Sequence, residues 1–230
     1  MPLESVLSVQ IKPDRVQEYQ ALVAELATSA REQGDPFRWT AHEVAYGGEA
    51  RIHFSSSVEN FGELGKRGIP PEMVLRVFGE ERGTQVMQGF GNCTQVSSSS
   101  VSIDRPDLSY PPDDSSITTP VSVVTSVRAR AGQLEACEEL IRKVAEAIPK
   151  AGDSARLNTF QTVLGDLSHF WTVRPLADLA ALDDQLPLPE LLNQAFGAAE
   201  GGLIYRTGLE AVEIAERRIL IYREDLSNPA

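Results

Sequence analysis

The sequence predicts an α+β protein built from one β-α-β-β-α-β unit copied twice, the two units packing sheet to sheet within a single chain. Three observations predict it. First, the phrase Arg105, Asp107, Leu108, Ser109 returns as Arg223, Asp225, Leu226, Ser227. Second, sliding the chain against itself by the same 118 residues holds along its length without a gap. Val6, Ser8 and Val9 fall on Val124, Ser126 and Val127, while Gly34, Asp35 and Arg38 fall on Gly152, Asp153 and Arg156. Gly47 meets Gly165, Leu64 meets Leu182, and Pro71, Glu72, Phe78, Gly79 and Gly83 meet Pro189, Glu190, Phe196, Gly197 and Gly201. Turn residues in register with apolar ones over such a length mark an internal duplication. Third, each copy passes between extended and helical apolar patterns in the same order.

Val6 to Ile11 opens the first copy as a strand, and Pro13-Asp14 introduces Val16, Tyr19, Leu22, Val23, Leu26 and Ala30 at helical spacing, with Gly34 as the stop. The second copy repeats this with Val121 to Val127, the series Leu134, Cys137, Leu140, Ile141, Val144, Ile148, and Gly152. Two extended segments around Gly47-Gly48 then read as a hairpin with a two-residue turn, matched by RLNTFQTVLGD and LSHFWTVRP. A helical region broken at Gly79 and Gly83, or Gly197 and Gly201, follows, with Pro71-Glu72 and Pro189-Glu190 suited to a first turn. Each copy closes with a strand, Ser99 to Asp104 or Arg218 to Tyr222, and the repeated phrase is the exit turn, its aspartates placed to accept backbone hydrogen bonds. The units therefore span 1–110 and 119–230, joined by a linker at 111–118 in a proline-rich polar stretch.

A formal charge of −12 and the lack of a basic stripe exclude nucleic acid as a partner. No apolar run is long enough to cross a bilayer and the start carries no targeting pattern, so a soluble, cytoplasmic protein is expected, with no membrane partner. Cys93 and Cys137 occupy non-equivalent places in the two copies, which speaks against a duplicated disulfide or metal knuckle. Both are expected to be reduced and buried.

This order is the split βαβ arrangement of ferredoxin-like domains, with two helices on one face of a four-stranded antiparallel sheet. The other face needs a cover, and the second copy supplies one. Element order and duplication together resemble the dimeric α+β-barrel superfamily, whose members include antibiotic-biosynthesis-type monooxygenases, stress-responsive barrel proteins and tandem chlorite-dismutase-like haem proteins. The resemblance implies that a small molecule, when bound, sits in or beside the barrel. It also implies a cofactor-free monooxygenase-like activity as one reading; a non-catalytic assembly pair with a filled barrel is the alternative. A homodimer of the tandem chain is left open. Haem is not expected, because the tandem haem proteins carry their proximal histidine on a helix of the C-terminal unit, whereas His169 is the histidine of this C-terminal unit and reads as strand.

Strand alternation selects the candidate site. With Gly47-Gly48 as the turn, His42 lies opposite His53, and both share with Arg51 and Tyr46 the face turned from the helices, Arg38 standing at the strand's start. The equivalent positions are Phe160, Trp171, His169, Leu164 and Arg156. The candidate ligand-binding residues are therefore Arg38, His42, Tyr46, His53, Arg156, Phe160, His169 and Trp171, imidazoles in one copy answering aromatic rings in the other. The retained arginines, Arg38 and Arg156, are read as pairing with an acid or holding an anionic ligand. No cofactor or metal is called for, since no zinc-type or H-E-x-x-H spacing occurs, and Glu49 lies four strand residues, about 13 Å, from His53. No nucleophile elbow or phosphate loop is present either, and no catalytic residue is assigned.

Overall fold

The computed structural model describes residues 2–67, 70–111, 119–153 and 155–229. Of the expected linker, 112–118 lies outside the described residues. The first copy contributes β1 (Leu3–Ile11), α1 (Val16–Glu32), β2 (Thr40–Tyr46), β3 (Arg51–Val58), a short α2 (Phe61–Arg67), α3 (Pro70–Cys93) and β4 (Thr94–Asp104). The second contributes β5 (Val121–Ala129), α4 (Leu134–Lys150), β6 (Asn158–Leu164), β7 (His169–Leu176), α5 (Leu188–Phe196), α6 (Ala198–Ala211) and β8 (Val212–Tyr222). Strands neighbour one another in the order β1-β3-β2-β8-β5-β7-β6-β4, a closed antiparallel barrel of the expected α+β class.

Two compact units divide the chain, residues 1–102 with 220–230, and residues 103–219. In the first, β1 and β3 pair with Ser8 opposite His53 and Val9 opposite Ile52, and β2 joins with His42 opposite His53. The expected register holds, but the turn is wider than two residues, because the strands end at Tyr46 and resume at Arg51. Ile52, Val9 and Ile11 face α1 and α3, where Tyr19, Val23, Leu26 and Val77 complete the core. In the second unit, β5, β7 and β6 pair with Ser126 and Phe160 both opposite Trp171, and Phe170 packs on the other side with Cys137, Leu140 and Ile141 of α4. Leu191 and Leu192 of α5 are fully buried with Ile148. Both cysteines are free and buried.

Two glycine pairs explain the helical break that both copies share. Gly79 has φ 74° and Gly197 φ 85°, a region open to glycine at little cost, and each turns the chain between two helical runs. Four residues on, Gly83 and Gly201 sit where the runs cross, a Cβ at Gly201 lying only 2.5 Å from the Leu192 carbonyl oxygen.

The repeated exit phrase docks on the opposite copy. In the second unit the Arg105 guanidinium forks onto its own Asp107 (2.8 Å on both oxygens), reaches Glu138 of α4 at 3.0 Å and bonds Gln161 of β6. The Ser109 hydroxyl accepts from the Thr159 amide. In the first unit Arg223 forks onto Asp225 and bonds Glu43 of β2, while Gln20 of α1 donates to the same Glu43 at 3.0 Å. There the Ser227 hydroxyl accepts from the Ala41 amide, and Asn228 makes a bridge with Trp39. The aspartates of the phrase thus take the arginine fork first, which lowers both carboxyls below their ordinary range, with backbone hydrogen bonds as a smaller contribution.

Candidate functional site

Each unit's share of the candidate residues is set by its own strands. In the first unit His42 is 5% exposed, and its ring meets Tyr222 at 5.5 Å between centroids, tilted by 52°. Burial pushes its pKa down to about 4, so the ring is neutral at pH 7. His53 lies directly across the ladder and is half-buried. Arg51, on the same face as His53, donates to Ser8 Oγ and Gln10 Oε1 of β1, both at 2.9 Å. Arg38 donates to Asn228 Oδ1 at 2.9 Å, and its charge is one of the smaller causes that lower the Asp35 carboxyl, after the hydrogen bonds from Arg76 and the Phe37 amide. Tyr46, at the strand's end, is 61% exposed and stands apart from the histidine pair.

The second unit gathers more. Phe160 and Trp171 stack with centroids 4.0 Å apart and planes within 11°. His169, two residues before Trp171 on β7 and so on the same face, has Nε2 2.6 Å from Ser126 Oγ and Nδ1 3.3 Å from Thr162 Oγ1. Hydroxyls donate or accept, so they serve either tautomer. Burial lowers the His169 pKa, which keeps the imidazole uncharged near neutral pH. Arg156 precedes β6 and is exposed. A haem does not fit these residues: the histidine of this unit stands on a strand with a hydroxyl at each ring nitrogen. Among the described residues no group of three or more histidines, cysteines or acids is arranged to hold a metal ion.

Two further residues belong to this face. Arg105 donates its amide to the Thr159 carbonyl (2.8 Å) and turns its side chain to α4, so strand alternation turns the preceding Asp104 to the opposite face, the position that Tyr222 holds beside His42 in the other copy. Burial, and secondarily Asp107, raises the Asp104 carboxyl above its ordinary value, while a hydrogen bond from the Arg105 amide pulls the other way. Asn158, two residues before Phe160 on β6, is 1% exposed, and no described group hydrogen-bonds its Oδ1 or its Nδ2. The 118-residue shift places Tyr222 and Thr40 at the same positions of the other copy, which by itself singles out neither residue.

No family model matches the sequence, and no curated relative does. Solved structures do match in fold. A "putative monooxygenase" from Lactobacillus acidophilus NCFM superposes with a TM-score of 0.54 at 8% identity, covering 100% of this chain and 97% of its own. A "putative chlorite dismutase" gives 0.55 at 14% identity over 97% and 96%. An anthrone oxidase-like protein gives 0.52 at 11% identity over 100% and 94%. At such identities the likeness is one of architecture, and the architecture it shares is the dimeric α+β barrel.

Proposed function

We propose that the chain binds a small, partly aromatic molecule on the helix-free sheet face of its second unit. The observation that carries this reading is the Phe160–Trp171 stack, a flat apolar platform with the neutral imidazole of His169 on the same face. A platform of this kind gives contact and stacking to a flat ring system, and the imidazole can donate to, accept from or take a proton from a polar substituent. The enzymatic form of the reading is a cofactor-free, monooxygenase-like reaction. It draws on the names of the structural neighbours, and His169 is the group it would use to accept a ligand proton. A cytoplasmic setting is supported by two buried thiols. Homodimerisation is supported by Leu203 and Leu209, exposed on α6, and light scattering of the purified chain tests it.

The second reading, a domain pair with no ligand, has its own support: His169 and the two rings already satisfy one another and their strand neighbours. Titration with 2-naphthol separates the two. The binding reading expects the Trp171 indole signal to move and Trp171→Ala to weaken the affinity at least tenfold. An unmoved signal at millimolar probe favours the filled face.

A further inference from the structure

We propose that the Asn158 carboxamide is the polar anchor of this face and that the molecule it takes is a neutral, flat aromatic carrying a carbonyl next to an N–H or O–H. This deepens the binding reading above and rests on it. An asparagine side chain offers one acceptor and one two-proton donor, and at 1% exposure neither end of Asn158 meets a described hydrogen-bonding group. Buried polar groups are paired in the great majority of cases, and one left unpaired at both ends forfeits the hydrogen bonds it made with water. The fold does not demand an amide here, since the equivalent place in the first copy holds Thr40.

Its position gives the chemistry. Asn158 and Phe160 alternate onto the same face of β6, about 6.7 Å apart along the strand, so a ring system lying against Phe160 and Trp171 extends its edge to the carboxamide. A carboxamide is matched at both ends by a group that donates and accepts side by side, as the edge of a lactam does. Strand alternation turns Asp104 to the same face, where its carboxylate disfavours an anionic ligand and offers a further acceptor to a donor on the ring. The proposed class is therefore the neutral donor–acceptor edge of a fused aromatic.

The test uses 2-quinolone and 1-methyl-2-quinolone, which differ by one methyl that replaces the donor hydrogen, and the variants at 158 separate loss of the donor from the bulk of the methyl. Binding is read from the indole N–H signals of the full chain, where Trp171 reports on the site and Trp39, whose Nε1 donates to the Leu226 carbonyl in the other unit, is the silent reference. Wild type is expected to bind 2-quinolone at least tenfold more tightly than the methylated probe. Asn158→Leu is expected to lose that preference, and to melt a few degrees higher because an unpaired amide has gone from the interior. Asn158→Thr, carrying the other copy's residue, loses the preference too and keeps the test alive if the leucine variant does not fold. Equal affinity of wild type and both variants for 2-quinolone, or equal binding of the two probes by wild type, overturns the anchor and leaves the aromatic platform standing. A Trp171 signal unmoved by either probe overturns both.

Discussion

His42 gives a pH dependence that can be worked out from its surroundings. Its ring is 5% exposed and faces Tyr222, and burial is the cause that lowers its pKa from 6.5 to about 4. Unfolding restores the ordinary value, so between those limits the unfolded chain binds a proton that the folded chain refuses. The stability this residue helps to hold is therefore complete above pH 6.5 and is lost as pH falls toward 4. A gap of about 2.5 pH units corresponds to about 3.4 kcal/mol in full, of which about 2 kcal/mol has gone by pH 5. The informative variant is His42→Phe, because Phe160 already fills the equivalent position and shows that the fold accepts the ring. Urea denaturation at pH 8 and pH 5 measures the effect. Wild type is expected to lose about 2 kcal/mol more than His42→Phe across that interval, with His169 and the carboxylates cancelling because both proteins contain them. Equal losses in the two proteins would refute a buried neutral imidazole at this place.

Gly201→Ala sets a Cβ 2.5 Å from the Leu192 carbonyl oxygen and 2.7 Å from the Asn193 nitrogen, backbone atoms that cannot swing aside. It is expected to cost about 2–3 kcal/mol in denaturant titration even after the helix-propensity gain of alanine, and a stabilised variant would contradict the crossing of α5 and α6. Glu43→Gln is expected to cost about 1–2 kcal/mol by leaving Arg223 with Asp225 alone, and adding Gln20→Glu to recover at least half of it. Strictly additive effects would show that the two positions do not share one charge. Native thiol labelling is expected to be slow at both Cys93 and Cys137, which are 0% exposed, and Cys137 the more resistant, burial pushing its thiol up to about 11. Fast reaction of either thiol would contradict the packing around it.

The duplication made most of the fold legible, because strand and helix periods repeated in register and each ambiguous segment could be read twice. What escaped shares a physical cause, the absence of an apolar pattern. β4 begins at Thr94 and β8 at Val212, well before the expected Ser99 and Arg218, and the early residues Gln95 to Ser99 and Glu213 to Glu216 are exposed, so no alternation announced them. The hairpin turn was read too tight, yet the His42–His53 register survived, since widening a hairpin symmetrically removes pairs at its tip without shifting the rest. Candidate residues chosen by alternation came together where they share a strand pair, as Phe160, Trp171 and His169 do. Arg38, chosen because it is retained in both copies, is held by Asn228 of the exit segment, a contact across 190 residues that no local pattern encodes. Asn158 and Asp104 stood out only once burial and hydrogen-bond partners were known.

The two copies differ in two ways, and the contrast bears on the proposed site. Where a contact holds the fold, the copies differ by compensation. Arg105 meets a glutamate on the helix, Glu138, and an amide on the strand, Gln161, whereas Arg223 meets the glutamate on the strand, Glu43, which an amide on the helix, Gln20, also contacts. The acid has changed places with the amide, and each arginine still has one glutamate besides its own aspartate. The same holds for the retained aspartates: Asp35 is gripped by Arg76 from α3, while Asp153 is gripped by Arg174 from β7, and the vacated positions carry Gln194 and Ser56. A partly buried charge that loses its partner destabilises the protein, so a change on one element is tolerated only with a matching change on another. On the helix-free face Arg51 gives way to His169 with the serine partner kept, Ser8 or Ser126, whereas the replacements of Thr40 by Asn158, His42 by Phe160, His53 by Trp171 and Tyr222 by Asp104 show no such matching. Among the described residues Asn158 has no partner at either end, and Asp104 is half-buried with a raised carboxyl. Stability alone would remove such features, because a leucine or threonine at 158 satisfies the fold better than an orphaned amide. Their presence on one face of one copy, around a stacked aromatic pair, is what the proposed binding face predicts and what a purely structural face does not.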